Sequence, residues 1–116
     1  MRMFLILLPL LLISLCFQVT TTQMVGGWEP IEDITDSHVQ EIGNYAVSEH
    51  NRQSGDNLDF LAVMSGATQF DEATGSKKYG LDIDARDAEG DVGLYRALVY
   101  ERYEDGHREL KSFNHV

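Results

Sequence analysis

Acidic side chains are the first candidates for chemistry in this sequence. Asp82, Asp84 and Asp87 fall at intervals a divalent cation could use, with Glu89 and Asp91 close behind. A calcium-binding EF-hand loop needs glycine at its sixth position and a bidentate glutamate at its twelfth. Counted from Asp82, those positions hold Asp87 and Gly93, so the match fails. A solvated acidic strand and loop is expected instead. His38, His50, His107 and His115 share no zinc-ligand spacing and are read as surface residues. No metal and no cofactor is expected. There is no glycine-rich phosphate loop and no Gly-x-Ser-x-Gly elbow. Nothing singles out a carboxylate pair for glycoside hydrolysis, and a domain with one helix offers little cleft. The residues do not assemble an enzyme.

Composition narrows the partners. The chain has 116 residues, 9 Lys+Arg against 19 Asp+Glu, and net charge −10. That length holds one domain. Phosphate binding needs clustered cations, so nucleic acid is not an expected partner. The 43% hydrophobic content is inflated by one end. Arg2 precedes an apolar run from Phe4 to Phe17, interrupted by Pro9 and followed by Val19-Thr20-Thr21-Thr22. The run is too short for a comfortable membrane span, which takes about 20 residues. It reads as a secretory signal peptide over residues 1–22, with cuts after Cys16 or Thr22 both open. Secretion to the exterior, or a vacuolar route, follows as an expectation, with no membrane partner after cleavage. Loss of Arg2 takes the net charge from −10 to −11. Loss of Cys16, the single cysteine, leaves neither a disulfide nor a thiol nucleophile.

The elements that would position any functional group lie in residues 23–116. Gly26 and Gly27 let backbone approach another surface closely. Asp36 can cap a helix, and Ser37 with Gln40 fits a capping box. From His38 to Gln53, Val39, Ile42 and Ala46 draw one apolar stripe, and Gly55 is a natural stop. Strands follow. Leu58 to Phe70 is apolar and aromatic-rich. Tyr79 to Arg86 alternates, with Tyr79, Leu81, Ile83 and Ala85 on one face. Residues 87–93 form a loop, 94–103 and 108–113 two more strands, and Glu104 to His107 the turn between them. One helix and then an antiparallel meander gives an α+β fold, with the helix on one sheet face.

The helix segment Ile42-Gly43-Asn44-Tyr45-Ala46-Val47-Ser48-Glu49-His50-Asn51 resembles the helix signature of the plant cystatins, departing clearly only at Asn44. Val25-Gly26-Gly27-Trp28-Glu29-Pro30-Ile31 resembles their N-terminal trunk. Val63 to Gln69 resembles the strand entering their first hairpin, and Glu109 to Phe113 their last strand. The resemblance implies a long helix on a curved antiparallel sheet of four to five strands. It also implies a monomeric, reversible inhibitor of papain-like cysteine proteases. In such inhibitors the trunk and two hairpin tips enter the active-site cleft. Carried over by position, the contacting residues are Gly26, Gly27, Gln69, Phe70, Asp71, Glu72, Ala73, Tyr103 and Glu104.

The tips depart from the family pattern. Its first hairpin carries Gln-x-Val-x-Gly; here Gln69 is kept, but Asp71 and Ala73 stand at the valine and glycine positions. Its second carries Pro-Trp, here Tyr103 and Glu104. The alternative reading is a non-inhibitory cystatin-like binding module.

Overall fold

The computed structural model describes residues 27–116. The expected signal segment and Gly26 lie outside them. Strand β1 (Glu29–Pro30) is followed by helix α1 (Ser37–Ser54) and strands β2 (Asp59–Asp71), β3 (Ser76–Arg86), β4 (Val92–Arg102) and β5 (Arg108–His115). The strands form one five-stranded sheet in the order β1-β2-β3-β4-β5, each pair antiparallel.

Helix α1 begins where Asp36 caps it, its carboxylate accepting from the His38 N–H at 2.8 Å. It ends at Gly55, which adopts φ 81° and donates to the Asn51 carbonyl at 2.8 Å. Glycine meets that left-handed cap without strain. The expected capping box does not form. Gln40 instead reaches over to β2, where it accepts from the Val63 N–H at 3.0 Å and donates to the Val63 carbonyl at 3.3 Å. It also donates to the Ile34 carbonyl at 2.6 Å. Asn51 repeats the device near the other end of the helix, pairing with both backbone groups of Leu58 at 2.9 and 3.1 Å. The register of β2 against β3 shifts between Phe60 and Ala62 and again between Val63 and Ser65. Bulges interrupt the regular ladder, and a helix amide satisfies the backbone of Val63 at one of them.

The core lies between the helix stripe and one sheet face. Ile42, Ala46, Leu81, Ile83, Ala85 and Val99 are fully buried. The alternation expected at Tyr79, Leu81, Ile83 and Ala85 is the alternation observed. Gly43 is what lets the helix sit down on β2. A Cβ there would meet Val63 Cγ2 at 2.3 Å and Phe60 Cε1 at 3.0 Å. Asn44, the departure from the family signature, is exposed and costs no packing.

Element ends differ modestly from expectation. Part of the lead-in is a strand, because Glu29 and Pro30 pair with Thr68 and Ala67. Val92 and Gly93 belong to β4, because Asp87 closes the preceding turn tightly. Its carboxylate accepts from the N–H groups of Glu89 and Asp91 at 3.0 and 2.9 Å. Asp87 is thus a turn-former, and the acidic loop needs no cation to explain it. The acidic strand face is also neutralised in part, since Asp82 accepts from Arg96 and Ser65, both at 2.9 Å. His50 is not a plain surface residue. It stacks on Phe113 at 4.2 Å and pairs with Asp56 at 2.8 Å.

A polar cluster ties the start of α1 to the hairpin of β4 and β5. Glu101 bonds His38 at 2.8 Å and Arg108 at 3.0 Å, and Arg108 reaches Glu41 at 3.3 Å. Burial alone would raise the Glu101 carboxyl, but the hydrogen bonds from His38 and Arg108 outweigh it and hold it low. Tyr79 lies beside Glu101. Burial first, and then that carboxylate, push its phenol up to about 12 from an ordinary 10. A folded-state pKa above the unfolded one means stability that is complete below pH 10 and lost as pH rises towards 12. The melting temperature is therefore expected to fall across that window, and Tyr79→Phe to flatten the fall. Equal slopes in the two proteins, followed by fluorescence melts, would remove Tyr79 as the cause.

Candidate functional site

The site is assembled at one end of the sheet. The β2–β3 ladder closes at Asp71 and Ser76, leaving residues 72–75 as the loop. Asp71 turns its carboxylate into that loop, accepting from the Ala73 N–H at 3.0 Å, with the Lys78 amine 3.9 Å away. Gly75 closes the loop at φ 66°, a conformation that disfavours a side chain. This hairpin thus ends in a glycine that the turn itself requires.

In the β4–β5 hairpin the Arg102 N–H donates to the His107 carbonyl at 2.8 Å. Arg102 and Asp105 pair through two contacts, at 2.7 and 3.1 Å. That pair, together with the His107 N–H, holds the Asp105 carboxyl far below the usual carboxylate range. Two of the four tip carboxylates, Asp71 and Asp105, are therefore satisfied within their own hairpins. The spacing of Arg102 and Asp105, three residues apart across a turn, is the signal that could have found this pair. Glu72 and Glu104 form no ion pair among the described residues.

The two hairpins touch. The Tyr103 N–H donates to the Gly75 carbonyl at 3.0 Å, one step past the last regular pair, Ser76 with Arg102. The rings of Phe70 and Tyr103 meet at 5.1 Å between centroids. They are 50% and 61% exposed, the two large exposed aromatics among the described residues.

The trunk joins them from the other side. Gly27, at φ 72°, lies against Gln69, whose side-chain nitrogen is 3.5 Å from where a Cβ would stand. Trp28 is set over Gly80, its indole 3.5 Å from that residue's absent Cβ. A Cβ at position 80 would stand in van der Waals contact with that indole. A shallow pocket of about 300 Å³ is shared by Gly27, Glu29, Gln69, Phe70, Lys77 and Tyr103 among its lining residues. Of the residues singled out from sequence, Gly27, Gln69, Phe70 and Tyr103 thus share one pocket. Asp71 ends β2, Glu72 and Ala73 lie in the loop beyond it, Glu104 lies in the β4–β5 turn, and Gly26 is outside the described residues. Trp28, Gly80 and Lys77 were not singled out as site residues. No cluster of metal-ligating side chains occurs among the described residues.

A helix on an antiparallel meander, with trunk and two hairpins converging at one end, defines a protein of the cystatin fold. The salivary cystatin of the soft tick Ornithodoros moubata shares that fold at TM-score 0.64 and 17% identity, over 78% of this chain and 96% of the tick chain. In sequence, residues 31–116 match the family described as SQAPI, aspartic acid proteinase inhibitor. Cysteine proteinase inhibitor 5 of Arabidopsis thaliana is 40% identical over 95% of this chain and 88% of its own length. Cysteine proteinase inhibitor 8 of Oryza sativa subsp. japonica is 41% identical over 78% of this chain and 71% of its own. The chain belongs to the plant cystatin (phytocystatin) family, whose members are proteinase inhibitors and not enzymes.

Proposed function

We propose that the protein is a secreted, monomeric, reversible inhibitor of papain-like cysteine proteases. Its trunk at Gly26 and Gly27 and its tips at Phe70 and Tyr103 would occlude the active-site cleft. The observation that supports this reading is the convergence of Gly27, Phe70 and Tyr103 on one exposed pocket rim. Inhibition needs no chemistry from the inhibitor. A glycine trunk passes close to a catalytic thiol because no side chain keeps the two backbones apart. Paired strands hold the tips in shape, so little conformational entropy remains to be lost on binding. Glu72 and Glu104 work against burial in an apolar cleft, since an unpaired carboxylate costs several kcal/mol to desolvate. They suit a cleft whose rim carries cations.

Titration of active papain tests the reading. Activity is expected to fall with added protein and to return on dilution. No inhibition at micromolar concentration, from a sample with a cooperative melt, would sink it. The exported segment is a separate part of the proposal. N-terminal sequencing of protein recovered outside plant cells locates the cut expected after Cys16 or Thr22.

The match of residues 31–116 to the SQAPI family favours a second reading, inhibition of an aspartic proteinase. Titration of pepsin at acid pH, with the protein checked for intactness afterwards, separates the two. A folded sample that inhibits neither enzyme would favour a non-inhibitory binding module.

A further inference from the structure

The two exposed aromatics come from different hairpins, yet they are joined twice. Their rings pack at 5.1 Å with planes at 54°, and the Tyr103 N–H to Gly75 carbonyl bond ties the backbones together. Each ring limits the freedom of the other before any partner arrives. The charges around them are sorted. Arg102 is occupied by Asp105, Lys77 lies over the Tyr79 ring at 5.4 Å, and Lys78 stands 3.9 Å from Asp71. Glu72 and Glu104 are exposed beside the aromatic pair. The surface offered is an apolar knob flanked by unpaired carboxylates.

We infer that Phe70 and Tyr103 act as one preassembled anchor, entering a single apolar subsite of the target protease whose rim is basic. This inference rests on the proposed inhibition of cysteine proteases. It differs from two independent hairpin contacts because neither ring keeps its position without the other. A ring held by its neighbour binds without a further ordering cost, and a ring left alone must be ordered again. The acidic flanks choose the partner. They lose solvent on binding, so a rim without cations is disfavoured.

A double-mutant cycle against papain tests this. Phe70→Ala and Tyr103→Ala are each expected to weaken inhibition about 30-fold, the scale of a central hot-spot residue. The double variant is expected to be weaker by only about 100-fold, well short of the roughly 1,000-fold product of independent losses. Inhibition is expected to weaken as salt rises, and Glu72→Gln with Glu104→Gln to flatten that dependence. Both aromatic sites are exposed, and melting curves check that every variant is folded. Phe70→Leu and Tyr103→Leu replace any alanine variant that is not. Strictly multiplicative losses, or a double variant that inhibits as well as the parent, would overturn the single anchor. Salt-independent inhibition would overturn the basic rim. A parent protein that leaves papain active would overturn both this inference and the reading beneath it.

Discussion

Gly43→Val is expected to destabilise the protein by about 3 kcal/mol, the upper end of the cost of overpacking a core. For a domain of this size the melting temperature should fall by something on the order of 15 °C. The cause is a missing Cβ. An atom at that place would stand 2.3 Å from Val63 Cγ2 and 3.0 Å from Phe60 Cε1. Val63 is 3% exposed and β-branched, so its methyl has nowhere to swing. The helix must lift off β2 or the bulged strand must move. Lifting the helix also draws Gln40 and Asn51 away from the backbone groups they satisfy. Gly43→Ala should cost less, because alanine recovers about 1 kcal/mol of helix propensity that glycine forfeits. If Gly43→Val melts within a couple of degrees of the parent, the helix is free to slide and the close contact does not hold it.

Gln40→Ala is expected to cost about 2–3 kcal/mol. The side chain makes three hydrogen bonds, at 2.6, 3.0 and 3.3 Å, to the Ile34 carbonyl and to the N–H and carbonyl of Val63 beside the bulge. Alanine removes all three at once, and each partly buried group left unpaired costs about 1 kcal/mol or more. Gln40→Glu is the sharper variant. Its carboxylate can still accept from the Val63 N–H. It would also face the carbonyl oxygens of Ile34 and Val63, where the native amide donates. Charge against those oxygens raises the carboxyl pKa in the folded state. The variant should therefore be least stable at neutral pH and recover towards the parent in acid, as the added proton supplies a donor. Urea melts across that range measure it. A Gln40→Ala protein as stable as the parent would show that water replaces the amide at no cost.

The structure and the sequence agree wherever a periodicity was at stake. The helix stripe of Val39, Ile42 and Ala46, and the alternation of Tyr79, Leu81, Ile83 and Ala85, each need only neighbours along the chain. A face is buried because its residues recur at the repeat of the element, and that repeat is written in the residues. The Gly55 cap and the Glu104 to His107 turn are local in the same sense. Gln40 was misread because the capping-box spacing is a local rule, whereas its partner Val63 lies on another element.

The functional end divides along the same line. Residue types alone pointed to the glycine trunk and offered no thiol nucleophile or calcium loop, whereas the resemblance to the plant cystatins named Gln69, the carboxylates of both tips and the aromatic at Tyr103. Whether those residues meet depends on how strands far apart in the chain register against each other. The register of β3 against β4 sets Ser76 opposite Arg102, and that pairing brings Gly75 to Tyr103 and Phe70 to its ring. The same pairing sets Asp82 beside Arg96, while Glu101 meets Arg108 across the β4–β5 hairpin. Sequence by itself determined the helix, the four long strands and the buried faces of the helix and β3, because burial follows a short-range repeat. Only the tertiary structure decided that two hairpins share one aromatic knob, because a hydrogen bond or a ring contact between distant segments has no local signature.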